Sequence, residues 1–181
     1  STNPLQTAAL SKNDEDVWRF LGSSRLQWDV AQTGSHHFRV IADGGLDFFT
    51  QENSLFFPPE LQFQRTAAEP GVALPSNSNN PKLNLNGNLV HTFTPASHSF
   101  SATTSAGIQY ARRRLNISRI IGKGLIGGQS NVDASIDRQV AQNRSLIKDM
   151  GYFLQEEVLT AGEKLLLTAG IRADQSSLDA D

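Results

Sequence analysis

A few groupings of residues in this sequence have the types and spacing that chemistry uses, and each can be held against what that chemistry requires. Gly122-Lys123-Gly124-Leu125-Ile126-Gly127 satisfies GxGxxG behind an apolar strand. Pyrophosphate binding needs a helix N-terminus directly after such a loop. Gly128, Gln129, Ser130 and Asn131 follow instead, with no βαβ unit around them, so an external loop is expected and no cofactor. His36 and His37 adjoin, but no carboxylate or third histidine stands at ligand spacing, so no metal is expected. Asp43 and Asp47 share a strand face, as the carboxylates of a glycosidase would, yet the glycine- and asparagine-rich loops offer no matching acid. Ser, His and Asp occur without GxSxG or another triad pattern, so no catalytic residue is assigned and the chain reads as a non-enzyme. One group survives as candidate ligand contacts: Phe56, Phe57, Gln62, Phe63 and Arg65, in which three aromatics within eight residues could stack on sugar rings or apolar cargo. The competing reading is that Phe56 and Phe57 close the end of a strand and Pro58-Pro59 stop it.

These residues have to be positioned by a folded chain, and 181 residues with 38% hydrophobic content and a formal charge of -2 suit one ordinary domain. The 16 Lys and Arg are scattered, apart from Arg112-Arg113-Arg114, so nucleic acid is not an expected partner. Cysteine is absent, which excludes disulfides and thiolate metal sites. No apolar run approaches the roughly 20 residues of a membrane helix, although strands that cross a bilayer would escape that criterion because they alternate.

Alternation is the dominant pattern. Trp18, Phe20, Leu26, Trp28 and Val30 share one parity opposite Arg19, Arg25, Gln27 and Asp29, and Phe38, Val40, Ala42, Leu46 and Phe48 stand opposite Arg39, Asp43, Asp47 and Gln51. Leu83, Leu85, Leu89 and Phe93 alternate with asparagines. Phe100, Ala102, Thr104, Ala106, Ile108 and Tyr110 alternate with Ser, Thr and Gln. Two further strands, about 144–159 and from Lys164, flank Thr160-Ala161-Gly162-Glu163. The expected fold is all-β: an antiparallel meander of about six long strands in three hairpins, with residues 1–15 a polar lead-in or the end of an external loop. Long loops are expected at about 52–82 and 115–143, with a short helix within Ser130–Gln142. Short and long connections then alternate, as in outer-membrane barrels.

Trp18 and Trp28, Phe38 and Phe48, and Phe100 and Tyr110 are same-face aromatics ten residues apart. Ten residues span roughly 33 Å of strand, which a tilt of about 40° projects to roughly 25 Å, the height of the apolar band of a membrane barrel. The same-face residues between them carry no charge. Trp18, Trp28, Phe38, Phe48, Phe93, Phe100, Tyr110 and Tyr152 are therefore expected at a lipid interface, on a transmembrane β-barrel. Arg112 and Arg114 follow Tyr110 on its parity, where long cations reach headgroups. Glu156 departs from the scheme unless a bulge near Gly151 shifts the register, and His91 beside Phe93 raises a milder difficulty. The alternative is a soluble β-sandwich that binds carbohydrate, which would bury the same apolar faces against a second sheet.

The words NPLQ, DEDVWRFLGSSRLQW, GGLDFFTQENSLFFPPELQF, LNLNGNLVHTF, FSATTSAGIQYARRRLNISR and GYFLQEEVLTAGEKLLLTAGIRADQSS resemble the barrel of TonB-dependent outer-membrane receptors of the SusC/RagA-like group. The resemblance spans nearly the whole chain, and its last hairpin is the most specific part. It implies a 22-stranded barrel with an N-terminal plug in the bacterial outer membrane, importing glycans, peptides, iron chelates or vitamins. The implied partners are outer-membrane lipid, the rest of the barrel and plug, the TonB complex and a surface lipoprotein. Neither plug nor TonB-contacting box has a counterpart here, so the chain is expected to be a segment of such a receptor.

Overall fold

The computed structural model describes residues 3–126 and 129–180, without the side chains of Asp179 and Ala180. A short helix α1 (Pro4–Leu10) precedes six strands: β1 (Lys12–Gln32), β2 (His36–Phe57), β3 (Val72–Phe93), β4 (Phe100–Leu125), β5 (Ser135–Thr160) and β6 (Leu165–Ala180). They form a single antiparallel sheet in the order of the sequence. The all-β meander of six long strands is thus the observed fold, and the sheet is open, with β1 and β6 as its edges.

The strands are longer than alternation alone suggested, at 21 or 22 residues for β1 to β3 and 26 for β4 and β5. The connections expected at about 52–82 and 115–143 shrink to 58–71 and 126–134. Ladders account for the difference: Asn77 pairs with Glu52 on one side and Ser118 on the other, and Ser118 pairs in turn with Gln142. Backbone hydrogen bonding continues where side chains become polar on both faces, so the alternation disappears while the strand does not. The helix expected within Ser130–Gln142 is only a single 3-10 turn, Val132–Ala134, capped by the Asn131 side chain. Its apolar residues at spacing four, Ile136 and Val140, are also in phase for a strand, and β5 takes them.

The lead-in holds α1 because Asn3 caps Leu5 and Gln6 through its side-chain oxygen and Pro4 fits the first turn. β1 then begins at Lys12, before the expected boundary. At the three tight connections Thr33 N–H bonds to the His36 carbonyl, His98 takes φ 52° with its N–H on the Pro95 carbonyl, and Ala161, Gly162 and Glu163 are all left-handed.

Register decides the faces. Trp18 lies opposite Thr50, Phe48 opposite Pro81, Leu83 opposite Arg112, Tyr110 opposite Met150 and Leu154 opposite Ile171. Directly opposed residues of an antiparallel ladder share a side, so all six apolar parities fall on one face of the sheet. That face is uncovered: Trp28, Leu165 and Ile171 are 62%, 47% and 72% exposed. The enclosed apolar cluster lies instead at the loop end, where Phe56, Ala73 and Leu125 pack with Val132. Leu61 is buried in the 58–71 loop, which folds back so that Gln64 receives the Gly71 N–H and Pro70 the Leu125 N–H. None of the described helices is long and apolar enough to cross a membrane, a criterion that does not address strands.

Candidate functional site

The two faces of the sheet are the candidate functional surfaces, and they differ in kind. On the apolar face the expected aromatics form two parallel lines, with Leu83 holding the place on β3 in the first. From Trp18 the first line passes to Phe48, Leu83, Tyr110 and Tyr152, and at each step the next member stands two residues nearer the short-turn end than the direct partner of the last. The second line runs from Trp28 to Phe38, Phe93 and Phe100 by the same step. Trp18 meets Phe48 edge-on at 5.5 Å, and Phe93 meets Phe100 at 5.9 Å. Two residues are about 6.6 Å of strand for each strand spacing of about 4.8 Å, so the strands lie about 54° from the perpendicular to these lines. The lines are then about 19 Å apart, closer than the 25 Å that a 40° tilt gave.

His91 stacks on Phe38 at 4.3 Å, and its Nε2 lies 3.0 Å from Nδ1 of His36. The ring therefore stacks against the second aromatic line from its inner side. Glu156 does lie on the apolar face: β5 and β6 pair without a shift from Ser145 to Thr160, so no bulge near Gly151 turns it away. It stands opposite Thr104, whose hydroxyl donates to its carboxylate at 2.6 Å. The register shift that does occur is in β1, between Asp29 and Ala31.

The other face carries a ladder of paired charges. Arg19 grips Asp47 through two bonds of 2.9 Å, with Lys82 at 3.8 Å, and Arg25 grips Asp43 at 2.5 and 3.2 Å. Asp43 and Asp47 are therefore engaged by cations, in place of an acid pair free for proton transfer. Across the sheet Arg172 binds Asp174 at 2.9 Å and Gln109 at 2.7 Å, while Arg113 binds Asp149 at 3.0 Å. Asp29 accepts from Arg39 and sits 2.7 Å from Nε2 of His37, and these contacts, Arg39 first, hold its carboxyl below the usual carboxylate range. The Ser176 hydroxyl and then Arg113 lower Asp149 likewise. Phe153 lies over Gly107, its direct partner in β4, where a side chain on the glycine would overlap the ring.

Gly45 opens a shallow basin of about 480 Å³ on this face, lined by Ser23, Arg25, Asp43, Asn84 and Asn86. The five residues expected to bind ligand lie elsewhere, at the end of β2 and in the 58–71 loop. Phe56 is buried against Ala73 and Leu125, which is the strand-closing role weighed for it in the sequence. Phe57 meets Phe63 edge-on at 5.7 Å, Gln62 donates its backbone N–H to the Gln6 side chain, and Arg65 is exposed. Part of the GxGxxG stretch, at Gly127, lies outside the described residues. Among those described, Gly124 is left-handed near the tip of β4, and only the 3-10 turn Val132–Ala134 precedes β5. No group of three or more His, Asp or Glu side chains among the described residues is arranged to hold a metal ion.

Comparison with protein-family models and with curated proteins returned no match.

Sequence reasoning found the aromatic lines but not the ion pairs, since Arg25 and Asp43 are 18 positions apart and Arg113 and Asp149 are 36 apart. A partial signal existed: an arginine and an aspartate on the polar parity of adjacent strands, equidistant from the connecting turn, are placed to meet.

Proposed function

We propose that this chain is a segment of a transmembrane β-barrel of the TonB-dependent receptor type, working in nutrient uptake across the bacterial outer membrane. One observation carries the reading. A single open sheet presents, on one face, an uncharged band bounded by two aromatic lines about 19 Å apart, interrupted only by the hydrogen-bonded Glu156, while on the opposite face Arg19, Arg25, Arg39, Arg113 and Arg172 are paired with aspartates. Lipid on the first face and a water-filled passage on the second satisfy both. A soluble sandwich would need a second sheet over Trp28 and Ile171, and the described strands supply only one layer. The strands also run far beyond the roughly 5 to 6 residues usual in globular sheets.

In this reading the basin at Gly45, the half-buried Phe57 and Phe63 and the exposed Gln62 and Arg65 contact cargo. The free edges of β1 and β6 pair with neighbouring barrel strands, because an unpaired backbone group in lipid costs several kcal/mol. The plug, the TonB complex and a surface lipoprotein are the corresponding partners, and catalysis has no part.

Two experiments test this. Expressed alone, the full chain should partition with membranes or aggregates, dissolve only in detergent and migrate on gels according to whether it was heated. A monodisperse monomer in plain buffer refutes the membrane reading. In the source cell, deleting this segment in frame should abolish energy-dependent uptake of one nutrient class. Unchanged uptake of every class tested refutes the receptor role.

A further inference from the structure

We infer that Arg112 and Arg114 form a seat for the phosphate of anionic lipid headgroups, in the leaflet at the loop end of the sheet. The inference rests on the membrane-spanning reading above and adds to it a polar contact with lipid.

Three consecutive arginines provide the comparison. Arg113 faces the polar side and is bound to Asp149 at 3.0 Å. On that same side Arg19, Arg25, Arg39 and Arg172 each meet an aspartate. Arg112 and Arg114 point to the apolar side, both are exposed, and among the described residues neither has a carboxylate partner. Directly across from Arg112 stand Leu83 and Lys148, and across from Arg114 on β5 stands Leu146. No carboxylate stands directly across from Arg112, nor across from Arg114 on β5.

Height selects the anion. Arg112 and Arg114 are the first and second same-face residues beyond Tyr110 toward the loop end. Steps of about 6.6 Å along a strand tilted 40° to 54° put them roughly 4–5 and 8–10 Å beyond the aromatic line. Headgroups occupy about that depth outside the hydrocarbon. A guanidinium matches phosphate with paired N–H donors, and Arg144, opposite Asn116 on the same face, continues the positive edge outward. The uncharged band below these residues would lie against the acyl chains of the same lipids.

The test uses the full chain in neutral maltoside micelles with equimolar phosphatidylglycerol and phosphatidylcholine, read by native mass spectrometry. A gain of about fivefold per arginine predicts roughly 25-fold preference for phosphatidylglycerol. The Arg112→Gln/Arg114→Gln double variant should retain the two lipids nearly equally. The Arg112→Lys/Arg114→Lys variant, which keeps the charge, and Arg119→Gln, on the other face, should keep most of the preference. Inorganic phosphate in about tenfold excess should leave the retained lipid in place, and its displacement would show a site for free phosphate instead of lipid. An undiminished preference in the glutamine variant, with gel migration still heat-modifiable, overturns the arginine seat while sparing the membrane reading. A wild-type chain that retains neither lipid and shows no heat-modifiable band overturns both.

Discussion

Ala106 is the position at which a single charge asks most directly what the apolar face touches. It lies on β4, six residues from Phe100 and four from Tyr110, with Leu89 and Leu154 directly opposite on its two sides. Those leucines are 47% and 49% exposed, so nothing in the chain covers the spot. Ser105, the preceding residue, faces the other way between Val90 and Gln155. If hydrocarbon contacts the first face, Ala106→Arg places a cation near the middle of the band, at a cost of about 2–4 kcal/mol. Tyr110 is about 13 Å away along the strand, beyond the reach of an arginine head, so snorkelling relieves the cost only in part. A loss of about 2–3 kcal/mol corresponds to roughly 30- to 140-fold in the equilibrium between inserted and unfolded chain. Ser105→Arg should stay within about 0.5 kcal/mol, because its face is already charged and wet. Urea titration of both variants in phosphatidylcholine vesicles, followed by heat-modifiable migration, measures the difference. Equal midpoints for the two variants would refute the assignment of faces, since adjacent positions of one strand would then share an environment.

Other expectations follow from single contacts. Gly107→Ala should destabilise by about 1–3 kcal/mol, read as a lower urea midpoint, because the new methyl group overlaps the Phe153 ring. Thr104→Val should cost about 1.5–3 kcal/mol by stranding the Glu156 carboxylate, and the Thr104→Val/Glu156→Leu double variant should recover it; a double variant no better than the single one would deny the hydrogen bond that role. Asp29 lies beyond Trp28 at the turn end, and its depressed folded pKa means that its contribution is complete above the unfolded value near pH 4 and is lost as pH falls through the lower folded value. Asp29→Asn should flatten that part of the stability profile below about pH 4 and leave the region above pH 6 parallel to wild type.

The faces were legible in the sequence because a strand assigns sides by parity, a local property that needs no partner to be known. Trp18, Phe38, Phe100 and Tyr152 could be put on one kind of surface from spacing alone, and the register then joined them into two lines. Strand ends were not legible. Asn77 and Ser78, or Gln142 and Asn143, carry no alternation, and they remain extended because backbone groups on neighbouring strands bind them, a pairing that exists only once the sheet is assembled. The position of Glu156 also required the sheet, since only an unbroken register between β5 and β6 shows that it shares a face with Leu154 and reaches Thr104. The charge ladder is of the same kind: an arginine and its aspartate meet through the stagger of two strands, and one residue of slippage would send them to opposite faces. Composition and periodicity thus determined an alternating β chain with one uncharged side. Tertiary structure alone decided which charges are neutralised, which arginines remain without a carboxylate, and that Phe56 packs in a small core at the loop end. The physical reason is that parity is set by covalent geometry, whereas partnership is set by hydrogen-bond ladders between segments far apart in the chain.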